Sequence, residues 1–208
     1  MPRSVKVPLG YIKAPGLQRS RSSRKSRGRL APHVGLGVPM PASPFRPVVL
    51  PRRFPGQLYL TNMPGYWRPA EFHAGFWQQL IEGGAEGWVV CLAGEAERKR
   101  KAPDYPRFLE AAKLGERWIE FPIRDRSFPA DIPAFMALLD RLIDHLQSPT
   151  TVVAIHCAAG VGRTGTVAAS LLVRIGLAPE AALVLIEEAG SEPETARQQA
   201  IVRAIRRH

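Results

Sequence analysis

Acidic residues are missing from the first 55 positions of this 208-residue chain, which hold twelve Lys or Arg. The net charge of +11 therefore belongs to one end, and the remainder is close to neutral. Long apolar runs are missing too. The best candidate, Val167 to Ile186, is broken by Arg174, Gly176, Pro179 and Glu180, so no membrane span is expected. The N-terminus lacks the continuous apolar core of a secretory signal. Cysteine is scarce: Cys91 and Cys157 cannot build a disulfide framework. A free thiol in a reducing, cytoplasmic compartment fits that count. An apolar content of 45% is enough for a core, and the length suits one domain with an extension.

The extension is expected to span residues 1–55 and the domain residues 56–208. Residues 1–55 are rich in Pro, Arg and Ser without apolar periodicity, a composition that predicts disorder. The run Arg19-Ser20-Arg21-Ser22-Ser23-Arg24-Lys25-Ser26-Arg27 suits contact with nucleic acid or an anionic surface. An acid-free basic leader is also the composition of an organelle transit peptide. A translation start at Met40 is a further reading, because the Ala/Gly/Arg/Pro-heavy composition suits a GC-rich bacterial frame.

Beyond residue 55, strand-type and helix-type segments alternate. Gln57 to Thr61 reads as a strand, Pro69 to Glu82 as a helix opened by proline, and Gly87 to Leu92 as a buried strand. Ala93 to Ala102 reads as a charged loop, Tyr105 to Leu114 as a helix, and Arg117 to Pro122 as a strand. Asp131 to Gln147 is an amphipathic helix with Asp131 at its cap position. Thr151 to His156 is the central strand, and three helices end the chain. This order predicts an α/β fold: a central, mainly parallel sheet flanked by helices. Sites in such folds lie at the carboxyl ends of strands.

Cys157 falls at such an end, in His156-Cys157-Ala158-Ala159-Gly160-Val161-Gly162-Arg163-Thr164-Gly165. Small residues let successive backbone N–H groups turn inward, and the following helix start adds positive potential. Arg163 can grip two oxygens. The same field favours a thiolate nucleophile at Cys157. The glycines form no dinucleotide fingerprint, and no Lys-Ser/Thr pair closes the loop, which argues against a nucleotide site.

The segment resembles the phosphate-binding loop of the protein tyrosine phosphatase superfamily: His-Cys, two residues, Gly, one residue, then Gly-Arg-Thr-Gly. The resemblance covers roughly residues 56–206. It is closest to compact dual-specificity-type enzymes and to the kinase-associated phosphatase group. The supporting pieces are Leu58-Tyr59-Leu60 before Pro64-Gly65, Val89-Val90-Cys91-Leu92 before Gly94-Glu95, Phe121-Pro122-Ile123, and Glu194-Thr195-Ala196-Arg197-Gln198. It implies a cysteine phosphatase fold and a phosphocysteine intermediate formed by Cys157. It also implies an oxyanion held by Arg163 and residues Ala158, Ala159, Gly160, Val161 and Gly162. His156 would orient the loop and tune the thiol, and Thr164 would stabilise the departing thiolate. No metal or other cofactor is implied, and a monomer is expected.

A general acid must protonate the leaving oxygen, and Arg163 cannot release a proton. Asp125 stands 32 residues before Cys157 in a proline-bounded loop, where members of the superfamily carry that acid. Asp131 is the fallback but reads as a helix cap, and Asp104 precedes its own helix. Two departures stand out. Ile123-Arg124-Asp125 replaces the Trp-Pro-Asp of tyrosine-specific members, and Glu194 replaces the first Gln of their Gln-Thr-x-x-Gln, whose second Gln is matched by Gln198. Glu194 reads equally as a first-turn helix residue after Pro193. The loop residues Ala158, Ala159 and Val161 carry no charge, whereas phosphoinositide phosphatases of the superfamily tend to place lysines there, so a phosphoprotein substrate is expected. A non-protein phosphate (phosphoinositide, inositol phosphate or RNA 5′-phosphate) is the alternative, and a phosphoprotein-binding module without turnover is another. The charged run Glu95 to Lys101 is read as a solvated loop or as a flank meeting acidic residues near a phosphosite. Cys91 has two readings: a buried core thiol, or a redox partner that traps oxidised Cys157.

Overall fold

The structure is a computed structural model that describes residues 42–206. A five-stranded sheet runs in the order β1-β2-β5-β3-β4. Its strands are β1 (Arg46–Val48), β2 (Gln57–Thr61), β3 (Glu86–Cys91), β4 (Trp118–Glu120) and β5 (Thr151–His156). Only β1 is antiparallel to its neighbour; β2, β5, β3 and β4 are mutually parallel. The mainly parallel α/β architecture is thus present, with β5 at its centre and buried at every residue.

Period-two alternation divides the core into two layers. Trp88 and Val90 of β3 with Leu92 just after it, and Val153, Ile155 and Cys157 at β5, join one layer, with α4 (Ile132–Leu146), α5 (Gly162–Arg174), α6 (Pro179–Glu188) and α7 (Ala196–Ala204). Val89, Cys91 and Ala93, with Val152, Ala154 and Ala158, join the other. That layer packs on α1 (Ala70–Leu80) and α3 (Tyr105–Ala112).

Two expectations need correction. Ala93 to Ala102 is not a loop, since Glu95–Lys101 forms the helix α2. Its acids sit in the first turn and its cations in the last, which suits the helix dipole. The pairs Glu95–Lys99 (2.7 Å) and Glu97–Lys101 (2.8 Å) add side-chain support at i,i+4 spacing. The boundary at residue 55 also falls too late. Phe45 and Val48 are buried, one in each core layer, and Arg46 to Val48 pairs with Leu60 to Leu58. A three-residue edge strand between prolines carries too little apolar pattern to be read from sequence. Residues 1–41 of the expected extension, with its basic run, lie outside the described residues.

α4 begins as expected: Asp131 accepts the Ala134 N–H at 2.9 Å. Among the described residues, no helix is long and apolar enough to cross a membrane.

Candidate active site

The loop between β5 and α5 carries the site. Cys157 is buried there, only 3% exposed. Two loop carbonyls are turned outward and engaged: Ala158 O accepts from Met63 N at 2.8 Å, and Gly160 O accepts from Arg46 and from Ser191 Oγ, each at 2.5 Å. The N–H groups of Ala159, Gly160 and Val161 donate to no acceptor among the described residues. Carbonyls fastened outside and amides left unspent are the makings of an anion nest. Gly160 makes the bend at φ +74°, and a Cβ there would strike the Thr61 carbonyl.

Arg163, on the first turn of α5, is 2% exposed. Glu97 from α2 meets it in a two-pronged pair, Nη1 to Oε2 at 2.7 Å and Nη2 to Oε1 at 2.9 Å. The Arg163 hydrogen bonds, more than any other cause, hold the Glu97 carboxyl down at about 2. Nη1 also donates to Ile123 O at 3.0 Å, which fastens the arginine to the segment that follows β4.

Asp125 lies just beyond that contact, its Oδ1 3.1 Å from Arg163 Nη2 and its Oδ2 3.9 Å from Lys101 Nζ. It is exposed, in a tight turn closed by Ser127 N to Arg124 O at 3.0 Å, with Arg126 at φ +56°. The two other carboxylates considered are spent elsewhere. Asp131 caps α4, and Asp104 accepts the Ala70 N–H that opens α1, at 3.0 Å.

His156 is fully buried beneath the loop. One ring nitrogen, Nδ1, is 2.9 Å from Cys157 O, and the other, Nε2, is 2.8 Å from Tyr105 Oη. Burial lowers its pKa to about 4, so it stays neutral. Trp118 Nε1 donates to the same phenol at 3.2 Å.

Cys91, Thr164 and Gln198 are placed as follows, Cys91 in the buried-core position that is one of its two readings. Cys91 is not beside Cys157. Register pairs Cys91 with His156, so the two share one face of the sheet and Cys157 falls on the other. Cys91 is buried with its Sγ 3.4 Å from Ala93 O, and burial pushes its thiol up. The Thr164 hydroxyl is buried but has no hydrogen-bond partner among the described residues, so the expected link to the Cys157 sulfur is not formed. Both ends of the Gln198 amide are engaged. Its Oε1 accepts from Glu194 N and Thr195 N, and Nε2 donates to Ser127 O at 2.8 Å, tying α7 to the Asp125 turn. Glu194 rests its carboxylate against Gly162, leaving no room for a Cβ there.

Arg46, Glu97, Tyr105 and Ser191 are the site neighbours that sequence reasoning missed. Only Glu97 left a readable trace, in the Glu-Ala-Glu-Arg-Lys-Arg-Lys charge order of α2.

A cysteine at the tip of a central parallel strand, a loop whose amides are unspent among the described residues and a buried arginine define a cysteine phosphatase-type α/β domain. The chain belongs to the PTP-SAK family, described as the DSP-PTPase phosphatase domain of Swiss Army Knife proteins, whose profile matches residues 88–208. Protein 197R of Invertebrate iridescent virus 6, which carries a tyrosine phosphatase name, is 36% identical over 86 residues, covering 40% of this chain and 32% of that protein. Protein 067L of Invertebrate iridescent virus 3, similarly named, is 29% identical over 117 residues, covering 53% of this chain and 45% of that one. The chain thus spans less than half the length of these curated relatives. In fold it is similar to a kinase associated phosphatase whose catalytic cysteine is replaced by serine. That match has a TM-score of 0.60 and 21% identity, over 76% of this chain and 90% of the other. The structure of PTPMT1 in complex with PI(5)P has a TM-score of 0.53 and 15% identity, over 71% of this chain and 88% of that one.

Proposed function

We propose that this domain hydrolyses phosphomonoesters on protein side chains, phosphotyrosine first and phosphoserine or phosphothreonine as well, through a phosphocysteine intermediate. One observation carries the reading: Asp125 stands 3.1 Å from the same buried Arg163 that closes the loop opened by Cys157. The Cys157 thiolate attacks phosphorus while loop amides and Arg163 hold the equatorial oxygens. Asp125 gives its proton to the leaving oxygen, and its carboxylate then takes one from the water that frees phosphate. The Thr164 hydroxyl, buried and without a partner among the described residues, donates to the departing sulfur. Neutral His156, held by Tyr105, orients the loop and transfers no proton.

The small, uncharged lining of the loop supports a phosphoprotein over a polyanionic headgroup. The deciding experiment compares turnover of phosphotyrosine peptides, phosphoserine peptides and phosphoinositides by the full chain, in EDTA. Peptide turnover that vanishes in Cys157→Ser is expected. Undiminished turnover in that variant sinks the mechanism. Exclusive turnover of phosphoinositides replaces the substrate class with the lipid reading. Binding of phosphopeptides without turnover leaves a recognition module.

A further inference from the structure

The strongest group outside this chemistry is Arg46, on the short edge strand that sequence reasoning assigned to the tail. Its guanidinium reaches across to three acceptors. Nη2 donates to Gly160 O at 2.5 Å and to Ser191 Oγ at 3.1 Å, and Nη1 donates to Gly190 O. The Ser191 hydroxyl donates to the same Gly160 carbonyl at 2.5 Å. One loop carbonyl therefore receives two side-chain donors, one of them charged.

The surroundings are built for this contact. α6 ends in a left-handed turn at Gly190, φ +71°, with Gly190 N to Glu187 O at 2.8 Å and Ser191 N to Ile186 O at 3.0 Å. That turn presents the Gly190 carbonyl to Arg46 and aims Ser191 at the loop. The helix carboxyl end also favours a cation. Ser191 is 2% exposed. Just before the strand, Phe45 packs against Trp77 on one side of the sheet, and Val48 at the strand's end is buried on the other, which holds Arg46 between two anchors. Burial lowers the Arg46 pKa.

From this geometry we infer that Arg46, with Ser191, is a positioning residue that locks the Gly160–Val161 peptide in the orientation required to bind an oxyanion. The inference rests on the oxyanion reading of the loop given above. Peptide planes flanking a glycine can turn over, because glycine accepts either sign of φ. Turned over, this peptide would aim the Gly160 oxygen into the nest and withdraw the Val161 N–H. Arg46 and Ser191 bond the oxygen from outside, and the flipped state loses both bonds. Arg46 touches no reacting atom, and its effect is on the fraction of loops ready for substrate.

A population effect has a recognisable kinetic form. If only part of the enzyme is competent, every ligand of the competent state weakens by the same factor. Saturating substrate restores the competent state and with it kcat. Arg46→Ala in the full chain is therefore expected to raise the KM for an aryl phosphate and the Ki for orthovanadate together. The common factor should be about tenfold or more, the scale of a hydrogen bond to a charged group. Change in kcat should stay within about twofold. Arg46→Lys, which can still donate to Gly160 O, should recover most of the loss. Ser191→Ala should move KM and Ki in the same direction by less.

A folded Arg46→Ala with wild-type KM and Ki overturns the inference, even if its melting temperature falls, because packing alone would give that result. If Arg46→Ala does not fold, Ser191→Ala decides, and an unchanged vanadate Ki in that variant is equally fatal. A wild-type chain that neither binds vanadate nor hydrolyses an aryl phosphate removes the oxyanion reading itself. Wild-type activity with an indifferent Arg46 removes only the clamp.

Discussion

Glu97 and Arg163 face each other prong to prong, 2.7 and 2.9 Å apart, although 66 residues separate them in the chain. Arg163 is buried, and a buried cation left without its partner is strongly unfavourable. Glu97→Gln is therefore expected to lower kcat/KM by about 10–100-fold and to lower the melting temperature. Because Arg163 holds the Glu97 carboxyl at about 2, the pair's contribution is complete above the ordinary carboxylate value of 4.5 and fades as pH falls toward about 2. Steady-state kinetics with thermal melts at neutral and acid pH check both points. Wild-type kinetics in Glu97→Gln would show that Asp125 and the carbonyl contacts suffice to aim the arginine.

Asp125 is the proposed proton donor and also an acidic side chain 3.1 Å from Arg163. Asp125→Asn should reduce kcat by roughly 10²–10⁴. The same change removes a negative charge that competes for Arg163, so vanadate should bind at least as tightly as to the wild type. Weaker vanadate binding would place Asp125 in loop support rather than in proton transfer.

Two buried histidines give the domain an acid limit. Burial holds both His156 and His73 at about 4, against 6.5 for a free side chain. Between those values the unfolded chain takes up protons that the folded one refuses. Stability is complete above about 6.5 and declines as pH falls toward about 4, by roughly 3 kcal/mol per histidine at the limit. Urea midpoints at about pH 7.5 and about pH 5 read this directly, and His156→Asn should reduce the difference by about half, leaving the share of His73. Equal midpoints in the wild type would contradict the assignment.

Gln198 couples the last helix to the Asp125 turn through Ser127 O. Gln198→Leu keeps the volume and loses the tether, at a cost of about 1–3 kcal/mol. Amide hydrogen exchange across residues 124–128 should accelerate and kcat should fall. Unchanged exchange there would show that the turn holds itself.

Oxidation should leave Cys91 and Cys157 unlinked, because the sheet lies between them. Peroxide treatment followed by non-reducing peptide mapping tests this, and a Cys91–Cys157 peptide would require the strands to part.

Cys157, Arg163 and the Gly160 bend were legible in the chain because they lie close together in it. Ten neighbouring residues define a strand end, a loop and a helix start, and local geometry does the rest. Asp125 was legible because its turn sits between prolines at the end of a strand. The alternating elements likewise predicted a parallel sheet, since period-two and helical apolar patterns are local properties. Contacts between distant segments were not legible. Glu97 lay hidden in a charge-rich run, and only the fold brings its helix to Arg163. Arg46 sat among prolines in a stretch whose composition signals no fold, and only pairing with β2 brings it to the loop. Cys91 and Cys157 each sit at a strand end, but register decides which face each occupies. Sequence alone determined which groups could do the chemistry. The tertiary structure decided which groups hold them in place, because a buried charge or carbonyl takes its partner from whatever the fold packs against it.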